Sequence, residues 1–281
     1  MISIIIICKQ ERCLNKTLEN LLATTIGDFE IIVSLDGTIQ DTVKDNRIKV
    51  LYNPNTRGRR VCINKAVEFA QGDYFFHTDA HCFMRTDNWN IKLMETCNKF
   101  SNSTVVSCIL NVRAWKKHLI RHVYHHWDSL SNSYWVDRAP VKIEEELMTM
   151  TGCAWLHKRD QWEDFNETYS GWGYMGIEWT LRKWLCGIDP RPIILRNDVI
   201  CEHIGRVHKG SIDRTEWAGK VLSPKHTLGA IKHLYEERLA PNQHRDYAWL
   251  ADKFNTCPGW DQWIEREKDE REERKVNNLL Y

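Results

Sequence analysis

Asp79 and His81 close the run Tyr74-Phe75-Phe76-His77-Thr78-Asp79-Ala80-His81-Cys82. A carboxylate and an imidazole two residues apart can share one divalent cation. At the carboxyl end of a strand in an open α/β sheet they stand where such sheets bind ligands. The same pair also suits an ordinary surface turn, because a two-residue signal recurs by chance. Three further groups could act with them. Asp36, in Ser34-Leu35-Asp36-Gly37-Thr38, is placed either to accept hydrogen bonds from a nucleoside or to form an Asx turn. Arg57, Arg59 and Arg60 lie in a basic turn that leads into a helix. Cations there oppose the helix macrodipole, a conflict that a bound anion such as a diphosphate would relieve, whereas a solvated basic turn needs no ligand. Glu178 and Arg182 sit four residues apart on a later helix and can form an ion pair.

The elements that must position these residues follow from hydrophobic periodicity. Ile2–Cys8 is an uninterrupted, largely β-branched run, as expected of a strand covered on both faces in a parallel sheet. Leu14, Leu18, Leu21 and Leu22 recur at helical spacing. Residues 30–35 and 48–52 read as further strands, and residues 61–70 as a helix with Ile63, Ala66, Val67 and Ala70 on one face. Residues 74–78 are a short aromatic strand, 86–97 a helix with Asp87 in its first turn, and 104–112 another strand. From Arg113 to Glu146 the pattern loosens into Trp115, Lys116, Lys117, His118, Arg121, His122, His125, His126, Trp127, Tyr134 and Trp135. Such a stretch fits a nucleic-acid strand, an acceptor-binding wall, or an ordinary amphipathic helix.

Composition narrows the class. A chain of 281 residues with 42% hydrophobic residues can build one large domain or two small ones. With 39 basic and 38 acidic residues there is no global electrostatic case for a polyanionic partner. Thirteen tryptophans serve chiefly as large core residues, with sugar or base stacking as the alternative use. Ten cysteines show no C-x-x-C clustering, so the sequence signals neither a zinc module nor a redox pair. No run approaches the ~20 apolar residues of a spanning helix, and the expectation is a reduced, cytoplasmic protein without a membrane span.

The strand and helix order that closes on Asp-x-His resembles the nucleotide-sugar half of a GT-A fold glycosyltransferase. More narrowly, Thr78-Asp79-Ala80-His81-Cys82 followed by Trp89 resembles the polypeptide N-acetylgalactosaminyltransferases. Two later blocks extend the likeness. Thr151-Gly152-Cys153-Ala154-Trp155-Leu156, within the expected strand 147–156, is similar to the family's small-residue strand behind the donor sugar. Glu178, Arg182, Trp184, Cys186 and Gly187 fall in register with a family helix that follows a Trp-Gly block, here Trp172-Gly173. Cys201-Glu202-His203-Ile204-Gly205-Arg206 completes the set.

The resemblance implies an α/β fold with a mostly parallel central sheet over residues 1–206, then a helical C-terminal extension over 207–281. Within that extension, helical segments are expected at 228–239, 247–254 and 260–275. It implies a stand-alone bacterial or viral enzyme that moves a hexose or N-acetylhexosamine from a UDP-sugar to an acceptor hydroxyl. Asp79, His81 and His203 become the metal ligands, with His208 competing for the third place. Two imidazoles and a carboxylate suit Mn2+ better than Mg2+. Asp36 would hold the nucleoside, Arg57 and Arg206 the phosphates, and Trp172 the sugar. Asp79, Trp172 and Glu178 are the candidate catalytic residues. The acceptor is a protein, a glycan or a hydroxymethylated base in nucleic acid, and a non-catalytic nucleic-acid-binding protein is the alternative class. Two positions depart from the family: Met175 stands where it carries a Glu, and the basic turn is offset by one residue, which leaves Arg57, Arg59 and Arg60 in competition. With no carboxylate at residues 175–177 to act as base, retention of configuration is expected.

Overall fold

The computed structural model describes residues 1–100, 103–113, 116–126, 129–137, 139–167, 175–205, 244–245 and 247–255. The chain opens with β1 (Ile2–Cys8), α1 (Leu14–Thr24), β2 (Phe29–Asp36), β3 (Ile48–Asn53), α2 (Arg59–Phe69) and β4 (Tyr74–Asp79). It continues through β5 (Cys82–Met84), α3 (Trp89–Lys99), β6 (Thr104–Arg113), β7 (Lys116–Ile120), β8 (His122–His126), β9 (Ser129–Val136), β10 (Glu144–Glu146) and β11 (Trp155–Lys158). Then follow α4 (Met175–Leu181), running into a π turn at Arg182–Cys186, β12 (Ile193–Ile204) and α5 (Tyr247–Asn255).

The main sheet has the order β10-β12-β6-β11-β4-β1-β2-β3, with β5 added to β12 and β7 to β6. Six of the eight strands on that path run one way, and β10 and β11 run against them. The β-branched run of β1 puts it inside the sheet, between β4 and β2, because its alternating side chains fill two different cores. Ile5 and Ile7 pack with Cys62, Ile63, Ala66 and Val67 of α2. Ile2, Ile4, Ile6 and Cys8 pack with Leu14, Leu18 and Leu21 of α1 and with Trp89, Leu93 and Cys97 of α3. Each such fully buried aliphatic side chain contributes about 1.5–3 kcal/mol, and losing alternation on either face would cost the packing of a whole layer. Four tryptophans, Trp89, Trp155, Trp179 and Trp184, are fully buried, which assigns them to the core.

Two expectations are corrected. The amphipathic-helix alternative for residues 113–146 gives way to strands: β7 pairs with β6 and β8 pairs with β9. The aromatic and β-branched residues of that stretch favour extended backbone over helix. The strand expected across 147–156 is mostly irregular, since only β11 from Trp155 onward enters the sheet. Ala154 takes a left-handed φ of 57°, which no continuing strand can hold, and its carbonyl is fixed by the backbone N–H of Ser107 at 3.0 Å. Helix α5 packs Leu250 and Phe254 into the same core as Trp184, with Phe254 edge-on to that indole at 5.4 Å. The helices expected at 228–239 and 260–275 lie outside the described residues. Among the described residues no helix is long and apolar enough to cross a membrane.

Candidate functional site

Asp79 ends β4, between β11 and β1, and the tight turn through Ala80 and His81 leads directly into β5. In the antiparallel ladder of β5 with β12, Cys82 lies opposite His203. This pairing carries a residue from near the end of the sheet-forming sequence to the Asp-x-His turn. His81 Nε2 and His203 Nε2 approach to 3.1 Å, and Asp79 Oδ2 lies 3.9 Å from the first and 3.6 Å from the second. A triangle with these edges encloses a point about 2.1 Å from each corner, the length of a metal–nitrogen or metal–oxygen bond. The residues therefore fit a divalent cation.

The surroundings aim these donors. His203 Nδ1 donates to Asn111 Oδ1 at 3.3 Å, which leaves Nε2 facing inward. His81 Nδ1 faces Glu11 Oε2 at 3.6 Å, an ion-pair separation longer than a hydrogen bond. Burial works against charge on His81, but Glu11 and then Asp79 outweigh it and push the imidazole up to about 9. The Asp79 carboxylate likewise raises His203 against burial. Burial also opposes the Asp79 charge, yet Arg59 and the two histidines hold its carboxyl far below the usual range. In effect, protons and a guanidinium balance the carboxylate here, as a bound cation would.

Arg59, the first residue of α2, is the arginine of the basic turn that reaches the centre. Its Nη2 donates to Asp79 Oδ1 and to the Gly152 carbonyl, and its Nε and Nη2 reach His77 Nε2 at 3.2 and 2.6 Å. His77 Nδ1 donates to the Ile5 carbonyl at 3.1 Å, which fixes the tautomer whose Nε2 accepts. Burial, and then Arg59, hold His77 neutral, down to about 3. With Oδ1 taken by Arg59, only Oδ2 of Asp79 is left for a cation. Arg57 is exposed and gives its backbone N–H to Asp36, and Arg60 is buried.

Asp36 is fully buried, and both its oxygens accept backbone N–H groups, from Arg57 at 2.6 Å and Gly58 at 3.1 Å. It thereby pins the start of α2 to the end of β2. Gly37, at φ 68°, allows this approach, since a Cβ there would collide with Thr56. Glu178 is buried on α4, with Oε1 3.2 Å from Arg182 Nη2 and Oε2 without a hydrogen-bond partner. Burial pushes its carboxyl up against the pull of Arg182 and Arg60. Arg206, His208 and Trp172 lie outside the described residues.

The structure thus brings Asp79, His81, His203 and Arg59 together and keeps Asp36 across β1, two strands from Asp79, under the same helix N-terminus. Asn111, Glu11, Cys82 and Cys153 also adjoin the centre and were not singled out as site residues by the sequence. Only Cys82, next to His81 in the chain, carried a local signal.

Residues 3–165 match the family model described as glycosyl transferase family 2. No curated protein sequence matches the chain. Among solved structures it is similar to GalNAc-T7 crystallised with UDP, GalNAc and Mn2+, with a TM-score of 0.68 and 16% identity over 95% of this chain and 54% of that one. It is also similar to TarS of S. aureus, with a TM-score of 0.53 and 13% identity over 89% of this chain and 41% of that one. The chain spans about half the length of these neighbours or less, and at such identities the likeness is one of fold. A family model that covers more than half of the sequence, on a sheet whose order places Asp-x-His at a strand end, makes this chain a member of glycosyl transferase family 2 with the GT-A fold.

Proposed function

We propose that the chain transfers a hexose or N-acetylhexosamine from a UDP-sugar to an acceptor hydroxyl, using Mn2+ and retaining the anomeric configuration. The observation that carries this reading is the convergence of Asp79 Oδ2 with the Nε2 atoms of His81 and His203, beside Arg59 at the N-terminus of α2. A cation held there would stabilise the charge of the departing diphosphate. Two nitrogen donors and one oxygen suit Mn2+ better than Mg2+. The fold neighbour GalNAc-T7 was crystallised with UDP and Mn2+.

The chain's own residues divide the remaining work. Arg59, at the N-terminus of α2, faces the anion, where the helix dipole favours negative charge. Asp36 shapes the nucleoside wall by holding the Arg57 and Gly58 amides. Arg57 and Arg206 are assigned to the phosphates, and Trp172 to the sugar, on the resemblance of their motifs. Retention rests on the absence of a carboxylate at residues 175–177 and on the burial of Glu178 beside Arg182, which makes Glu178 a positioning group for α4. Acceptor recognition is assigned to the β7 edge. Lys116, Lys117 and His118 are exposed there, and His118 lies opposite Asn111, the residue that orients His203.

The test is thermal unfolding with UDP, with and without Mn2+. A ligand at 100 times its Kd stabilises by about 2.7 kcal/mol, and this gain should require Mn2+ and vanish in Asp79→Ala, His81→Ala and His203→Ala. A UDP shift that ignores Mn2+ overturns the donor reading, and an unchanged shift in His203→Ala moves the third ligand to His208. Proton NMR of the first-formed product decides the stereochemistry: a β-linked product from an α-linked donor rejects retention.

A further inference from the structure

The centre has a second face. The sulfurs of Cys82 and Cys153 lie with one oxygen of Asp79 and one ring nitrogen of His203 such that all four atoms are within 4.8 Å of one another. Cys82 and Cys153 are 1% and 5% exposed, and every cysteine among the described residues is a free thiol. The two thiols are held by different devices. Cys82 begins β5 directly opposite His203. Cys153 sits in the turn before left-handed Ala154, where its carbonyl accepts from Thr151 Oγ1 at 2.9 Å and Ser107 anchors the next residue. Residues 71 positions apart in sequence thus present sulfur to the same carboxylate and imidazole that also meet His81.

We propose that Asp79, Cys82, Cys153 and His203 form a second, thiolate-containing metal mode of this centre, taken by a thiophilic divalent ion of the Zn2+ class in place of Mn2+. Four protein donors of mixed sulfur, nitrogen and oxygen match the tetrahedral preference of Zn2+, and a set of four is closed, with no position left for a phosphate oxygen. Thiolate donors and the general order of divalent affinities both favour Zn2+ over Mn2+. Binding turns each thiol into a thiolate and releases its proton to solvent, with no electron transferred. Because Asp79 and His203 belong to both sets, the two modes exclude each other. The consequence, that traces of Zn2+ shut off a Mn2+-dependent transferase, rests on the donor reading; the binding mode does not.

Co2+ is the probe, added to the metal-free full chain. The proposal expects one Co2+ per chain, with intense visible bands of a four-coordinate ion and a near-ultraviolet thiolate charge-transfer band, both bleached by equimolar Zn2+. Cys153→Ala should halve the charge-transfer band and the double variant Cys82→Ala/Cys153→Ala should remove it. His81→Ala, which lies outside the thiolate set, should keep it. Weak six-coordinate absorption without charge transfer in the unmodified chain overturns the proposal with no variant needed, as does a full-strength band in the double variant. A band without any Mn2+-dependent UDP shift leaves this mode standing and removes the donor reading; a UDP shift without the band does the reverse.

Discussion

Arg59 and Asp79 form a mostly buried ion pair, with side chains 16% and 18% exposed, at the point where a cation is expected. Breaking such a pair from one side leaves an uncompensated charge and costs about 3–5 kcal/mol. Arg59→Ala should therefore destabilise the metal-free chain by about that amount, and Mn2+ should restore part of the loss by replacing the missing positive charge. Urea unfolding with and without Mn2+ checks this, and equal losses under both conditions would show that Arg59 does not stand in for the cation. His157 gives a separate prediction, outside the Asp79–His81–His203 cluster. Its ring is enclosed by contacts to the Ser103 and Gln161 carbonyls, and burial, then Lys183, hold it down to about 4 against 6.5 for a free imidazole. As pH falls below 6.5 the unfolded chain takes up a proton that the folded chain refuses. The contribution is thus complete above 6.5 and is lost as pH falls toward 4, on the order of 3 kcal/mol in all. Urea midpoints at pH 7 and pH 5 should show the decline, and His157→Gln should flatten it. At this scale the sequence made Asp79 and His81 legible because they are neighbours in the chain. It left Arg59 in competition with Arg57 and Arg60, and it was silent on Asn111 and Glu11, whose contacts with the centre are made by the sheet.

Among the elements, α4 is held by a contact that admits no side chain. A Cβ on Gly176 would lie 2.5 Å from the Met150 carbonyl oxygen, in the irregular segment whose Gly152 carbonyl receives Arg59. Gly176→Ala must push α4 away from that segment. The expected outcome is a loss of about 1–3 kcal/mol together with weaker Mn2+-dependent UDP binding, because the displaced segment carries Arg59 with it. If stability falls while UDP binding is untouched, the segment does not communicate with Arg59. Strands β1, β2 and β4 and helices α1 to α3 were readable from periodicity, since each commits a continuous stripe to a core. Strands β5 and β10 were not, because three residues carry no period. Residues 113–146 mix basic and aromatic side chains in a way that fits either period, and only pairing with β6 and within the β8–β9 hairpin decides for strands.

For the whole molecule, the sequence suggested a boundary after residue 206, yet α5 lies beyond it and shares the core of Trp184 through Leu250 and Phe254. Phe254→Ala should cost about 3–5 kcal/mol and lower a single cooperative transition. Two separate transitions in calorimetry would instead make the extension an independent unit. The order of the sheet also sets when the centre can exist during synthesis. Strands β1 to β4 can pair as they leave the ribosome, but β6 reaches β4 only through β11, which slots between them later. His203 arrives later still, 122 residues after His81. A nascent chain arrested before β12 would carry Asp79 and His81 without their partner, and the Asp79–His81–His203 cluster would be completed only by slow, long-range strand pairing.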